Sequence, residues 1–115
     1  MKPKRGTVVL TPFPFSDLSG SKVRPAVVVS RRNLPGRDVI LAFVTGQPSA
    51  RTLPADVVIE ETHPDFGATG LKRRSIVKLD KLVTVQASLL LGEIGRLSPA
   101  LLHDLDGKLR HALDL

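Results

Sequence analysis

Short apolar runs broken by proline, glycine and small polar residues set the pattern of this chain, and most runs are too short for helices. Arg5–Leu10 reads as a first strand. Thr11 to Lys22 follows as a loop, because Pro12 and Pro14 interrupt regular structure and Ser16-Asp17-Leu18-Ser19-Gly20-Ser21 is turn chemistry. Pro25–Arg31 is a second strand. Its Ala26-Val27-Val28-Val29 core has no polar alternation, so both faces should be covered. Asp38–Thr45 is a third strand of the same kind, after a turn at Asn33–Gly36, and Gly46-Gln47-Pro48 stops it. Ala55–Ile59 is a short fourth strand and Glu60–Leu71 a loop. Ser75–Val85 alternates as a long fifth strand. A sixth lies within Ser88–Arg96, with Gly92 and Gly95 as bulge or turn sites. The period then changes. Ser98 is an N-cap, Pro99 takes the first helical position, and Leu101, Leu102, Leu105 and Leu109 form a helical stripe with Leu113 beyond it.

Several closely spaced strands and one amphipathic C-terminal helix predict a mainly β chain, a small barrel or sandwich with the helix over an open face or end. A length of 115 residues suits one compact domain, 1–115, and 42% hydrophobic residues can fill its core. The chain has no cysteine, which rules out disulfides and thiolate metal sites. Its basic Met1–Arg5 start is not followed by an apolar segment, and no run is long enough to span a membrane, so a soluble cytoplasmic protein is expected.

The formal net charge of +6 points to a polyanionic partner, nucleic acid first. The chain lacks Trp and Tyr and has only four Phe, so base stacking cannot dominate, and arginine and lysine on phosphates would carry the binding. Arg24 precedes the second strand, where it reads either as a surface arginine or as a fixed guanidinium suited to a phosphate oxygen. Lys78 and Asp80 share one face of the fifth strand, about 7 Å apart at the backbone. They read either as a phosphodiester-orienting pair or as an ordinary surface ion pair. Thr45 ends the third strand beside Gly46, where a ligand can approach closely. Arg31-Arg32 and Lys72-Arg73-Arg74 are basic clusters that either line a groove or face solvent. His63 stands in a loop, and His103 and His111 are eight residues apart. With no HExxH, CxxC or carboxylate cluster, no metal or other cofactor is expected.

These segments, taken in order, resemble the MazF/PemK toxins. The resemblance rests on Val8-Val9-Leu10, Pro12-Phe13-Pro14-Phe15-Ser16-Asp17, Lys22-Val23-Arg24-Pro25-Ala26-Val27-Val28-Val29-Ser30, Val39–Thr45, Thr69-Gly70-Leu71-Lys72 and Ser75-Ile76-Val77-Lys78-Leu79-Asp80-Lys81-Leu82, and spans nearly the whole chain. It implies a small SH3-like β-barrel of the CcdB/MazF type with a C-terminal helix, paired as a homodimer. It implies a metal-independent endoribonuclease that cuts single-stranded RNA and is neutralised by a cognate antitoxin. Carried over by position, the catalytic residues are Arg24, Thr45, Lys78 and Asp80. RNA contacts are expected at Phe15, Ser16, Asp17, Ser19, Lys22, Arg31, Lys72 and Arg73. Lys78 stands where family members with an Arg-x-Asp strand motif have arginine, and the first loop lacks the histidine that some members place there. The implied reaction is attack of the RNA 2′-OH on the adjacent phosphorus, leaving a 2′,3′-cyclic phosphate and a 5′-OH. Two other outcomes stay open: a non-enzymatic toxin of the same fold with a protein target such as gyrase, and an inactive RNA-binding relative.

Overall fold

A computed structural model describes residues 2–13, 22–31, 33–46 and 51–115. Its elements are β1 (Thr7–Phe13), β2 (Lys22–Val28), β3 (Asp38–Thr45), β4 (Asp56–Ile59), β5 (Ser75–Gln86), β6 (Gly92–Arg96) and α1 (Pro99–Leu113), with short 3-10 turns at Gly67–Thr69 and Ala87–Leu89. The six strands form one antiparallel sheet in the order β4-β5-β3-β2-β1-β6, curled into a half-barrel. Among the described residues no helix is long and apolar enough to cross a membrane.

The two-faced apolar strands do what their composition requires. Val27, Ala42, Val44, Val57, Val77 and Leu79 face a core closed by Leu97, Leu101 and Leu105 of the C-terminal segment. Ala26, Val28, Val39 and Leu41 face the opposite way, into a second cluster with Val9 that Val83, Val85, Ala87 and Leu90 flank. Ser98 caps α1, its hydroxyl accepting from the Leu101 N–H, and Pro99 opens the helix. Leu101 and Leu105 are buried, whereas Leu113 is half exposed at the helix end. Arg5 anchors the chain start to the helix through Asp106, at 2.5 Å, and donates to the Val29 carbonyl.

Several strand boundaries differ from expectation. β1 runs on through Pro12 to Phe13, β2 spans Lys22–Val28 rather than Pro25–Arg31, and β6 begins only at Gly92, while β1, β4 and β5 shift by one or two residues at one end. The register explains the first two. β6 pairs with β1 only from Thr7 to Leu10, and β3 pairs with β2 only from Ala26 to Val28. Beyond those points β1 and β2 continue as a two-stranded arm, Thr11↔Arg24, Pro12↔Val23 and Phe13↔Lys22. Both prolines therefore lie where their strand has one neighbour, the local equivalent of a sheet edge, where a missing N–H interrupts no second ladder. In β6 the register shifts between Val8 and Val9, opposite Gly95 and Glu93, which is the bulge its glycines suggest.

Candidate active site

Arg24 lies inside β2, not just ahead of it, on the arm that β2 makes with β1. Side chains alternate along a strand, so Arg24 shares the face of Ala26 and Val28. Continuing the β2–β3 register by two residues brings it level with Thr45, the last residue of β3. Arg24 is half-buried, and among the described residues no carboxylate lies within ion-pair distance of it. β2 leaves β3 at this level, and a cleft of ≈ 300 Å³ opens there. Val23, Arg24 and Pro25 line one side, Val44 and Gly46 the other, with Leu71, Lys72 and Arg73 around them. Val44 and Leu71 belong to the first core, so the cleft opens mainly on the face opposite Thr45.

Lys78 and Asp80 occupy a neighbouring part of the same face, with β3 between them and β2. Their setting differs from the expected exposed pair. The Lys78 ammonium donates to Asp56 Oδ2 at 2.9 Å, and the two side chains are 13% and 0% exposed. Asp80 is a more distant partner, 4.0 Å away and 38% exposed. Asp56 also accepts from the Leu53 N–H, and its Oδ1 is buried without a hydrogen-bond partner among the described residues. Sequence reasoning missed Asp56. It opens a short strand with nothing in the local sequence to mark it, and the pairing Asp56↔Lys78 between β4 and β5 sets it against the lysine.

Asp80 sits in a β-bulge. Ala42 pairs with Leu82 and Phe43 with Lys78, so residues 79–81 of β5 have no matching residues on β3. Bulges re-aim side chains, and this one turns a carboxylate toward solvent on the face that carries Arg24 and Thr45.

The other expected residues separate. Lys22 starts β2 on the side of Arg24, and Lys72 and Arg73 reach the cleft. Arg31 lies beyond the other end of β2, away from Arg24, so the expected RNA contact there is not brought to the site. Phe15, Ser16, Asp17 and Ser19 lie outside the described residues, as does Arg32. His63 accepts from the Asp65 N–H through Nδ1 and so braces its own turn. Thr69-Gly70 is structural too. Thr69 is fully buried, its hydroxyl donating to the Phe66 carbonyl and accepting from the Leu71 N–H. Gly70 has φ +71°, and a Cβ there would overlap the Ile94 carbonyl.

Curled antiparallel strands, a C-terminal helix and cations gathered where two strands part define a small β protein built to face a polyanion. The family follows from comparison. Residues 4–113 match the model of the PemK-like, MazF-like toxins of type II toxin-antitoxin systems, and the chain belongs to that family. It is 29% identical over 105 residues to endoribonuclease MazF6 of Mycobacterium tuberculosis, covering 89% of this chain and 88% of the relative, and equally so to endoribonuclease MazF2 of Mycobacterium bovis. Among solved structures, a mycobacterial endoribonuclease in complex with its cognate antitoxin superposes with a TM-score of 0.76 at 24% identity, over 98% of this chain and 96% of that one. MazF of Deinococcus radiodurans gives a TM-score of 0.73 at 21% identity, over 100% and 99%. These two likenesses establish the fold, including the expected barrel-type sheet with its terminal helix.

Proposed function

We propose that this toxin is an endoribonuclease that cuts single-stranded RNA by internal transesterification. One observation carries the assignment: a half-buried arginine on the β1–β2 arm, with no carboxylate partner among the described residues, stands level with Thr45 on the sheet face that also carries Asp80. A fixed guanidinium facing a gap between strands matches the geometry of a phosphate and carries charge at any ordinary pH.

In this reading the scissile phosphate sits between β2 and β3. Arg24 binds its non-bridging oxygens and stabilises the negative charge that grows as the 2′-OH attacks phosphorus. Thr45 donates a hydrogen bond to the same phosphate. The 2′-OH needs a base. Of the carboxylates on this face, Asp56 is sealed and Asp80 is 38% exposed, so Asp80 takes the proton. The P–O5′ bond breaks and the departing 5′ oxygen takes a proton from solvent, leaving a 2′,3′-cyclic phosphate and a 5′-OH, and DNA is spared because it lacks the 2′-OH. Each step uses groups of the chain, of the RNA and of solvent, without a metal.

The reading places the protein in the cytoplasm, as a single-domain chain that acts as a homodimer, with an antitoxin as its inhibitor. The antitoxin-bound mycobacterial neighbour and the MazE-MazF complex of Deinococcus radiodurans support that last partner. The test is incubation of purified toxin with a long single-stranded RNA in EDTA, followed by mapping of the cut ends. Discrete cuts with cyclic phosphate ends, absent with Arg24→Ala, are expected. Intact RNA from folded, antitoxin-free protein would overturn the reading in favour of a protein-binding toxin.

A further inference from the structure

We infer that Asp56 is a positioning residue for cleavage: it fixes the Lys78 ammonium beside Asp80, so that the base has a cation at its side when RNA arrives. The inference rests on the ribonuclease reading above, with Asp80 as its base, and adds a residue that touches neither the RNA nor the reacting atoms.

The three side chains form a line. Asp56 of β4 pairs with Lys78 of β5, and Asp80 follows in the bulge of the same strand. The Lys78 ammonium stands 2.9 Å from Asp56 Oδ2 and 4.0 Å from Asp80 Oδ1. It therefore bridges a fully sealed carboxylate and an open one. A lysine on a free strand face is a point charge on a flexible four-carbon stem. Here a buried anchor removes that freedom.

Stability does not account for the anchor. The ladder from Asp56 to Ile59 already holds β4 to β5, and Val57 and Ile59 are fully buried in the first core. A sealed ion pair gains little over an apolar pair of the same size, because both charges lose water. This pair is also incompletely satisfied. Asp56 Oδ2 accepts from Lys78 and from the Leu53 N–H, while Oδ1 has no hydrogen-bond partner among the described residues. An arrangement that costs stability and aligns a cation with the base is what a preorganised site requires. Asp80 must approach a 2′-OH next to a phosphodiester, and two anions repel at that range. A cation held 4.0 Å from its carboxylate offsets the repulsion without touching the phosphate, which stays with Arg24.

The experiment measures single-turnover cleavage of one mapped RNA with toxin in saturating excess, RNA affinity by competition, and melting temperature. It compares wild type, Asp56→Leu, Asp56→Asn/Lys78→Met and Lys78→Arg. Asp56→Leu keeps the lysine without its anchor, and the neutral double variant removes the cation. Each should fold and cut about 10-fold more slowly, a part of what a positioned base supplies. Neither should change RNA affinity more than about twofold, since neither group meets the phosphate, whereas a residue binding the phosphate directly would take affinity down with it. Lys78→Arg, which keeps both cation and anchor, should cut faster than the double variant. The assignment is overturned if folded Asp56→Leu or the folded double variant cuts at the wild-type rate, or if affinity falls as far as the rate. An uncut RNA with wild type would instead defeat the ribonuclease reading itself.

Discussion

Arg24 and Lys78 are two cations on one face of one sheet, and they live in opposite surroundings. Arg24 stands on a two-stranded arm, beside an open cleft, with no carboxylate near it among the described residues. Lys78 stands between the edge strand β4 and β3, against a sealed aspartate, 13% exposed. A guanidinium without a partner is available to a phosphate; a buried ammonium that already neutralises a carboxylate is part of the core. The contrast shows that charge and strand position alone do not assign a role. The neighbouring strand does, because it decides whether the charge is already satisfied.

The contrast breaks first at Arg24. Arg24→Met should abolish most cleavage, by about 100- to 1,000-fold, while denaturant melts show little loss of stability. Large unfolding with that variant would mean Arg24 is structural and the comparison false. Lys78→Met should do the reverse in kind: it leaves Asp56 buried and unpaired, which costs about 3–5 kcal/mol of stability in urea titration. Adding Asp56→Asn should restore most of that loss, because the amide removes the stranded charge while still accepting from the Leu53 N–H. Asp80→Asn should leave stability within about 0.5 kcal/mol, as expected for an exposed carboxylate 4.0 Å from its partner, but suppress cutting at all pH values. The smallest effect sharpens the comparison by exclusion. Arg31→Ala, beyond the far end of β2, should change neither stability nor cleavage rate measurably.

Much of the fold was legible because its signals are local. Asp38–Thr45 reads as a doubly buried strand from composition, and Ser98-Pro99 marks the helix start through backbone chemistry confined to one turn. The arm was not legible. Pro12 reads as a strand breaker and Pro25 as the first residue of its strand until the register shows that both lie within strands, each with a neighbour on one side only. The cation-bearing positions could be found from sequence order, since family motifs preserve it. Their meaning could not. The Lys78–Asp56 contact joins residues 22 apart through the β4–β5 ladder, and nothing near Asp56 in the chain marks it as buried. Likewise Gly46 reads as room for a ligand, whereas the structure fills that room with Arg73, which only the approach of the 70–73 segment to β3 reveals.

The account centres on RNA that supplies its own nucleophile to a phosphate held at Arg24. The measurement that meets this most directly is cleavage of a mapped RNA in which the one ribose 5′ to the cut is replaced by deoxyribose. The account predicts that cutting at that bond disappears, while the substituted RNA still competes with the unmodified strand for wild-type toxin and competes less well for Arg24→Ala. Continued cutting at the deoxyribose position would contradict it, because the attacking oxygen would then have to come from elsewhere.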